Sequence, residues 1–287
     1  MILSMTGFGR AELNRQNKKL TIEIKSLNSK QIDINVRIPM AYREKELFIR
    51  KTVGQALGRG KIEVTLFAEQ NISEPKSRIN ASLVKSYYQD LKSLSEDLGS
   101  KDEIMSAIVR MPDVLISEKE EIEDAEWNDI DSLLNKAIEA ITHYRKDEGD
   151  VLAKDFSFRI NNIRTHLSTI ADYEKNRIEN IKNSIREKME ELKSSIDENR
   201  FEQELIYYLE KLDITEEITR LNLHLDYFDE VMKSESSEGK KLAFIGQEIG
   251  REINTIGSKS NDASMQQVVV QMKDELEKIK EQVLNVL

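Results

Sequence analysis

From residue 81 onward the apolar residues of this chain recur at intervals of three and four, and little interrupts them, since the whole sequence holds only 3 Pro and 11 Gly. Residues spaced in this way share one face of a helix that turns about 100° per residue, so the period commits most of the chain to helix. The longest run, Ile160, Ile163, Leu167, Ile170, Ile178, Ile181, Ile185, Met189, Leu192 and Ile196, is set among Lys, Glu, Arg and Asn. A stripe so long and thin predicts an extended helical arm over residues 156–200, which either pairs with another copy or packs on its own chain. Further helices are predicted at 202–212, 214–232, 240–256 and about 264–286, forming an all-α domain over residues 201–287.

The first 70 residues have a different period. Leu20, Ile22 and Ile24 alternate with polar neighbours, as do Ile32, Ile34, Val36 and Ile38, and then Ile62, Val64 and Leu66. Alternation of this kind predicts half-buried strands, with a further strand near residues 4–13. Residues 41–57 between them have helical spacing and stop at Gly58, a C-terminal signal. The expectation is a small antiparallel sheet with a helix on one face, in an N-terminal α+β domain over residues 1–155, and an α+β class for the chain as a whole.

Composition narrows the chemistry. There is no Cys, which removes disulfides, thiolate metal sites and cysteine nucleophiles. No run approaches the ~18 apolar residues of a membrane helix, and the start "MILSMTGFGR" has no signal-peptide pattern, so the expected location is the cytoplasm. Net charge is −10, unevenly placed: residues 1–70 carry 13 Lys+Arg against 7 Asp+Glu, leaving 30 against 46 for the rest. A basic block ahead of an acidic helical body fits a phosphate backbone as partner, and equally fits two ordinary solvated surfaces. Dinucleotide and P-loop glycine patterns are missing, and with 3 His any metal site must lean on carboxylates.

Two predicted helices carry such carboxylates beside their apolar stripes. Glu217, Arg220 and His224 share a flank of the first, and Glu248 and Glu252, four apart, share a flank of the second, next to Arg251. If the helices run antiparallel, Glu217, His224, Glu248 and Glu252 offer a divalent ion three carboxylates and an imidazole, a set that suits Mn²⁺ or Mg²⁺. Arg220, Arg251 and Lys259 then stand ready for phosphate. The plain alternative is solvated or ion-paired glutamates, a helix stop at Gly257 and a helix start at Asn261 or Asp262, with no ligand at all.

The chain resembles the YicC/YloC endoribonuclease family over nearly its full length. At the N-terminal end the resemblance is carried by "SMTGFGR" at residues 4–10, "EIKSLN" at 23–28, "RIP" at 37–39 and "RGKIEV" at 59–64. At the C-terminal end it is carried by "DITEEITRLNLHLDYF" at 213–228, "GKKLAFIGQEIGREINTIGSKSND" at 239–262 and "EQVLNV" at 281–286. Two departures stand out: Ser29, Lys30 and Gln31 replace the family's His-Arg-aromatic run, and Leu287 replaces a terminal acidic residue. The resemblance implies a metal-dependent bacterial endoribonuclease acting on RNA, single-stranded or hairpin, inside a ring-like homo-oligomer, expected to be a hexamer, with other RNA-degradation proteins as further partners. On this reading Arg10, Lys25, Lys30, Arg37, Arg59 and Lys61 hold phosphates, as do Arg220 and Lys259. Glu217, His224, Glu248 and Glu252 hold the ion, with His224, Glu248, Arg251 and Glu252 at the reacting phosphate. Two competing readings are an RNA-binding adaptor that serves another nuclease, with the acidic cluster as an ion-pair network, and a coiled-coil structural protein.

Overall fold

A computed structural model describes residues 1–15, 18–70, 77–98, 104–117, 123–191 and 210–287, together with 203, 206 and 207. Strands β1 (Gly7–Arg15), β2 (Lys18–Leu27), β3 (Asp33–Arg37) and β4 (Lys61–Gln70) form a sheet in the order β1-β2-β4-β3. The β1/β2 and β2/β4 pairs are antiparallel as expected, whereas β3 runs parallel to β4, so the sheet is mixed. The reason is the connection: a 3-10 turn (Met40–Lys45) and helix α1 (Glu46–Leu57) carry the chain back across the sheet before β4 begins. Helix α1 ends at Gly58, whose φ of 65° is the left-handed conformation that suits glycine.

After β4 a small lobe is inserted, made of β5 (Ser77–Ile79), α2 (Ala81–Leu98), α3 (Ile104–Ile108) and β6 (Leu115–Ser117). Then comes α4 (Asp124–Glu191), a single helix of 68 residues. It is followed by α5 (Thr215–Lys233), α6 (Gly239–Lys259) and α7 (Ala263–Val283). The helix expected at 202–212 falls largely outside the described residues. Among the described residues no helix is long and apolar enough to cross a membrane.

Helix α4 serves two cores. Its first half contributes Ile130, Leu134, Ala137 and Ile141 to a core built on the inner side chains of the sheet, Leu20, Ile22, Ile24, Ile62, Val64 and Leu66. Its middle contributes Phe156, Ile160, Ile163, Leu167 and Ile170 to a second core with Leu225, Phe228, Ile249, Ile253, Met272 and Leu276 of α5, α6 and α7. The first part of the expected arm therefore packs on its own chain. Helix α4 runs on to Glu191, and the side chains of Ile178, Ile181, Ile185, Met189, Leu192 and Ile196 lie outside the described residues. The change of core, close to the expected boundary after residue 155, falls inside unbroken helix.

The approach of β1 to α4 depends on Gly9. A Cβ there would lie 2.3 Å from the Ala137 carbonyl oxygen, so only a bare backbone fits between strand and helix. Arg145 of α4 is buried with no carboxylate partner among the described residues. It donates to the carbonyls of Leu57 (3.2 Å), Met5 (3.3 Å) and Arg59 (3.3 Å) and to Ser26 Oγ, and burial pulls its pKa below the usual arginine value. The two ends of the chain are stitched to each other: Met5 N donates to Asn285 O (2.7 Å), Leu287 N to Leu3 O (3.0 Å), and Asn28 Nδ2 to Leu284 O (2.6 Å).

Candidate active site

Helices α5 and α6 are antiparallel neighbours, joined by residues 234–238, and two contacts fix how their edges meet. At one end Lys259 Nζ of α6 lies 2.8 Å from Glu217 Oε1 of α5. At the other, Lys241 Nζ of α6 sits 5.4 Å from the centre of the Tyr227 ring of α5. Between these points Lys241, Glu248, Glu252 and Lys259 follow steps of seven, four and seven, while Glu217 and His224 are seven apart, so each set forms one stripe along its helix. The antiparallel helix pair that the expected seam requires is therefore present.

What the seam does with each group differs from the expectation of one shared point. Glu217 is buried and committed to Lys259, with its Oε2 left without a partner. Glu252 is also buried, and neither it nor half-buried Glu248, half-buried His224 or exposed Arg251 has a side-chain hydrogen bond or ion pair among the described residues. No three His, Asp or Glu side chains among the described residues are gathered closely enough to hold a metal ion. Helix geometry explains this: seven residues separate Glu217 from His224 by about 10.5 Å along the axis, more than the span of one ion's ligand shell. The single chain thus presents Glu248 and Glu252 as free carboxylates and does not assemble the four-residue ligand set.

The stretch "REINTIGSKSND" at 251–262 turns out to be mostly joinery. Helix α6 passes through Gly257 and ends at Lys259, so Gly257 is not the helix stop. Its missing side chain instead makes room for Val269 of α7, whose Cγ1 would lie 3.0 Å from a Cβ. Asp262 caps α7 as expected, accepting from Ser264 N (2.8 Å) and Met265 N (3.0 Å). Lys259 Nζ also donates to Asp213 O (2.8 Å), and Arg177 of α4 clamps the joint from below, donating to the carbonyls of Lys259 (2.9 Å) and Leu212 (2.8 Å) and to Glu174 Oε1 (2.7 Å). Asp213 accepts from the Thr215 hydroxyl and amide, and these bonds, with Lys259 nearby, hold its pKa below the ordinary carboxylate range. Sequence reading missed this role of Arg177 because the two carbonyls it holds lie 35 and 82 residues away in the chain.

The basic residues of the N-terminal block are also more engaged than their number implies. Arg10, Lys25, Arg37 and Lys61 alternate onto the outer face of the sheet. Arg10 pairs with Glu12 and Glu23, Lys25 with Glu23 (3.4 Å), and Arg37 with Glu63 (2.9 Å). Arg59 Nε donates to Ser29 O (3.1 Å), and on α5 Arg220 pairs with Glu216. Lys30 and Lys61 are exposed and have no side-chain partner among the described residues.

Comparison with known proteins agrees with both ends of this description. Residues 2–154 match the family described as endoribonuclease YicC-like, N-terminal region, and residues 170–287 match its C-terminal counterpart. The chain belongs to the YicC-like family. A Clostridioides difficile relative named "Probable endoribonuclease YicC" is 34% identical over 292 residues, covering 100% of both chains. A Haemophilus influenzae relative with the same name is 27% identical, covering 99% of each. In this YicC-like chain, the C-terminal match contains the whole α5–α6 seam, and the N-terminal match contains the sheet, Gly9 and Arg145.

Proposed function

We propose that this protein is an endoribonuclease that cleaves RNA phosphodiester bonds at the α5–α6 seam. The observation that carries the proposal is the coincidence, on one helix, of two carboxylates and a guanidinium without partners among the described residues, Glu248, Glu252 and Arg251, with half-buried His224 on the neighbouring helix. Unpartnered charges of both signs on one helix are what a phosphate substrate would use. Arg251 neutralises charge on the phosphate. One of the two glutamates takes the proton from the attacking oxygen, either a water or the RNA 2′-hydroxyl, and His224 gives a proton to the departing 5′-oxygen as the P–O bond breaks. The likenesses in name to endoribonucleases support this reading.

The proposal includes Mn²⁺ or Mg²⁺ dependence and assembly of like chains into a closed ring, a hexamer, both as implied by the family resemblance. Glu248 and Glu252 are the carboxylates open to such an ion. Since one chain supplies no third ligand in place, the chemistry above is assigned to the chain's own residues. The adaptor reading draws on the pairing of Glu217 with Lys259, which is the neutralisation an ion-pair network predicts.

The deciding experiment is cleavage of an end-labelled hairpin RNA by wild type and by Glu248→Gln/Glu252→Gln, with Mn²⁺ or with EDTA. Assembly size and RNA binding are followed in parallel. Loss of cleavage by at least about 100-fold with binding retained is expected. Undiminished cleavage by the variant overturns the site, and a wild type that binds but never cuts leaves the adaptor. A 2′,3′-cyclic phosphate product assigns the attack to the 2′-hydroxyl, and a pure 3′-hydroxyl end excludes that route.

A further inference from the structure

We propose that residues 2–5 form a strap that caps helix α6 from the far end of the chain: seated against residues 284–287, it holds the first turn of α6 and with it the Lys241 end of the seam. The strap is a conformational device and stands whether or not the seam cuts RNA.

Its seat is built into the bundle. Ile2 and Met5 are 3% and 2% exposed and Ser4 is fully buried, and Ile2 belongs to the core shared by α5, α6 and α7 although it precedes the first strand of the sheet. Two helical glycines leave the room for it. A Cβ on Gly149 of α4 would overlap the Ile2 carbonyl oxygen, and one on Gly239, the first residue of α6, would overlap the Val286 carbonyl oxygen. Ser4 pairs with Val286 as an antiparallel bridge, flanked by Met5 N donating to Asn285 O (2.7 Å) and Leu287 N donating to Leu3 O (3.0 Å).

The start of α6 lacks the kind of cap that α7 has. Glu238, at its N-cap, makes no side-chain cap bond, whereas Asp262 caps α7 through two amides. The first amides of a helix have no partner within it and need one from outside. For Gly239 that partner is a distant carbonyl: its N donates to Leu287 O (2.8 Å), and Ser237 Oγ donates to the same oxygen (3.0 Å). Leu287 is held in turn by Leu3, whose O accepts from Leu287 N and whose N donates to Ser237 Oγ (3.2 Å) across 234 residues of sequence. The strap thus fixes the carbonyl that caps α6.

The other end of the strap is tied to the sheet and to α4. Met5 O accepts from Ser26 Oγ of β2 (2.7 Å), and Thr6 Oγ1 donates to Glu148 Oε2 of α4 (2.7 Å). Residues 2–5 therefore run from β2 to the start of α6, two residues before Lys241. Few bonds hold them and none lies within the four-stranded sheet, so the strap opens at lower cost than either core, and its neighbours fray without the rest unfolding.

The test is hydrogen exchange, followed by mass spectrometry, on the full-length protein. In Gly149→Ala the added methyl group displaces Ile2, and exchange at residues 239–243 and 284–287 is expected to quicken about ten-fold, with β2, β4 and the middle of α5 unchanged. Ser237→Ala, which removes the middle link alone, is expected to quicken residues 239–243 about three-fold, and Ser237→Thr to stay near wild type. A chain lacking residues 1–5 is expected to exchange fast at the same places, and the peptide MILSM, added in excess, to reverse this. Wild-type exchange at 239–243 in Gly149→Ala and in the shortened chain overturns the strap, as does a peptide without effect. Loss of the helical circular dichroism signal in the shortened chain also overturns it, because residues 2–5 would then belong to the common core and not to a separable cap.

Discussion

The outer face of the sheet and the floor of the C-terminal joint both hold ion pairs, and the two sets are of different kinds. On the sheet the partners are open to water: Arg37 is 66% exposed and its partner Glu63 38%, and Arg10 and Glu12 are 48% and 39% exposed. At the joint Arg177 and Glu174 are 7% and 11% exposed, and Glu217, the partner of Lys259, is 7% exposed. Exposed pairs gain little because water competes for each charge, whereas a buried charge that loses its partner has nothing to replace it. A count of Lys and Arg therefore says little about where phosphate binds. The positive excess of residues 1–70 is real in the sequence and largely cancelled on the sheet face, because cross-strand register sets cations beside carboxylates.

The sharpest way to break this contrast is Arg177→Ala. It strands the Glu174 carboxylate and releases the carbonyls of Lys259 and Leu212, and should lower stability by about 3 kcal/mol, read as a fall in the urea midpoint at constant slope. A loss under about 1 kcal/mol would place the joint in the same class as the sheet.

A smaller effect is expected from Asp213→Ala at the start of α5, about 1 kcal/mol near neutral pH, from the lost bonds to Thr215. Its sign with pH follows from the depressed native pKa: the contribution is present above the unfolded carboxylate's pKa and fades as pH falls through the lower native value. Wild type and variant should accordingly converge in stability in strongly acidic solution, and a gap independent of pH would exclude a role for the Asp213 charge. The smallest effect is expected from Arg37→Ala, under about 0.5 kcal/mol in stability and less than about three-fold in RNA binding, since the guanidinium already faces Glu63 in water. A ten-fold loss of binding would restore the sheet as an RNA surface.

Much of the frame was legible from local patterns. Alternation located β2, β3 and β4, Gly58 marked the end of α1, the Asn261–Asp262 pair marked the start of α7, and the three-four period located α5, α6 and α7 within a few residues. These features depend on near neighbours in the chain, which a sequence displays directly. Parallel pairing of β3 with β4, the close packing that explains Gly257, and the partners of Arg145 and Arg177 depend on residues brought together from far apart. The candidate site was half legible for the same reason. Helical periodicity placed Glu217, His224, Glu248 and Glu252 on facing edges, but only the fold shows Lys259 claiming Glu217 and leaving Glu248 and Glu252 free.

Helix α4 has a mechanical consequence. A continuous 68-residue helix is a rod about 100 Å long, and its hydrogen-bonded backbone passes from the sheet core into the bundle core with no joint between them. Torque applied at one end is carried to the other, so sheet and bundle turn together like two fittings keyed to one shaft. Swinging the sheet against the bundle would require breaking that helix, because the shaft has no hinge between the two cores.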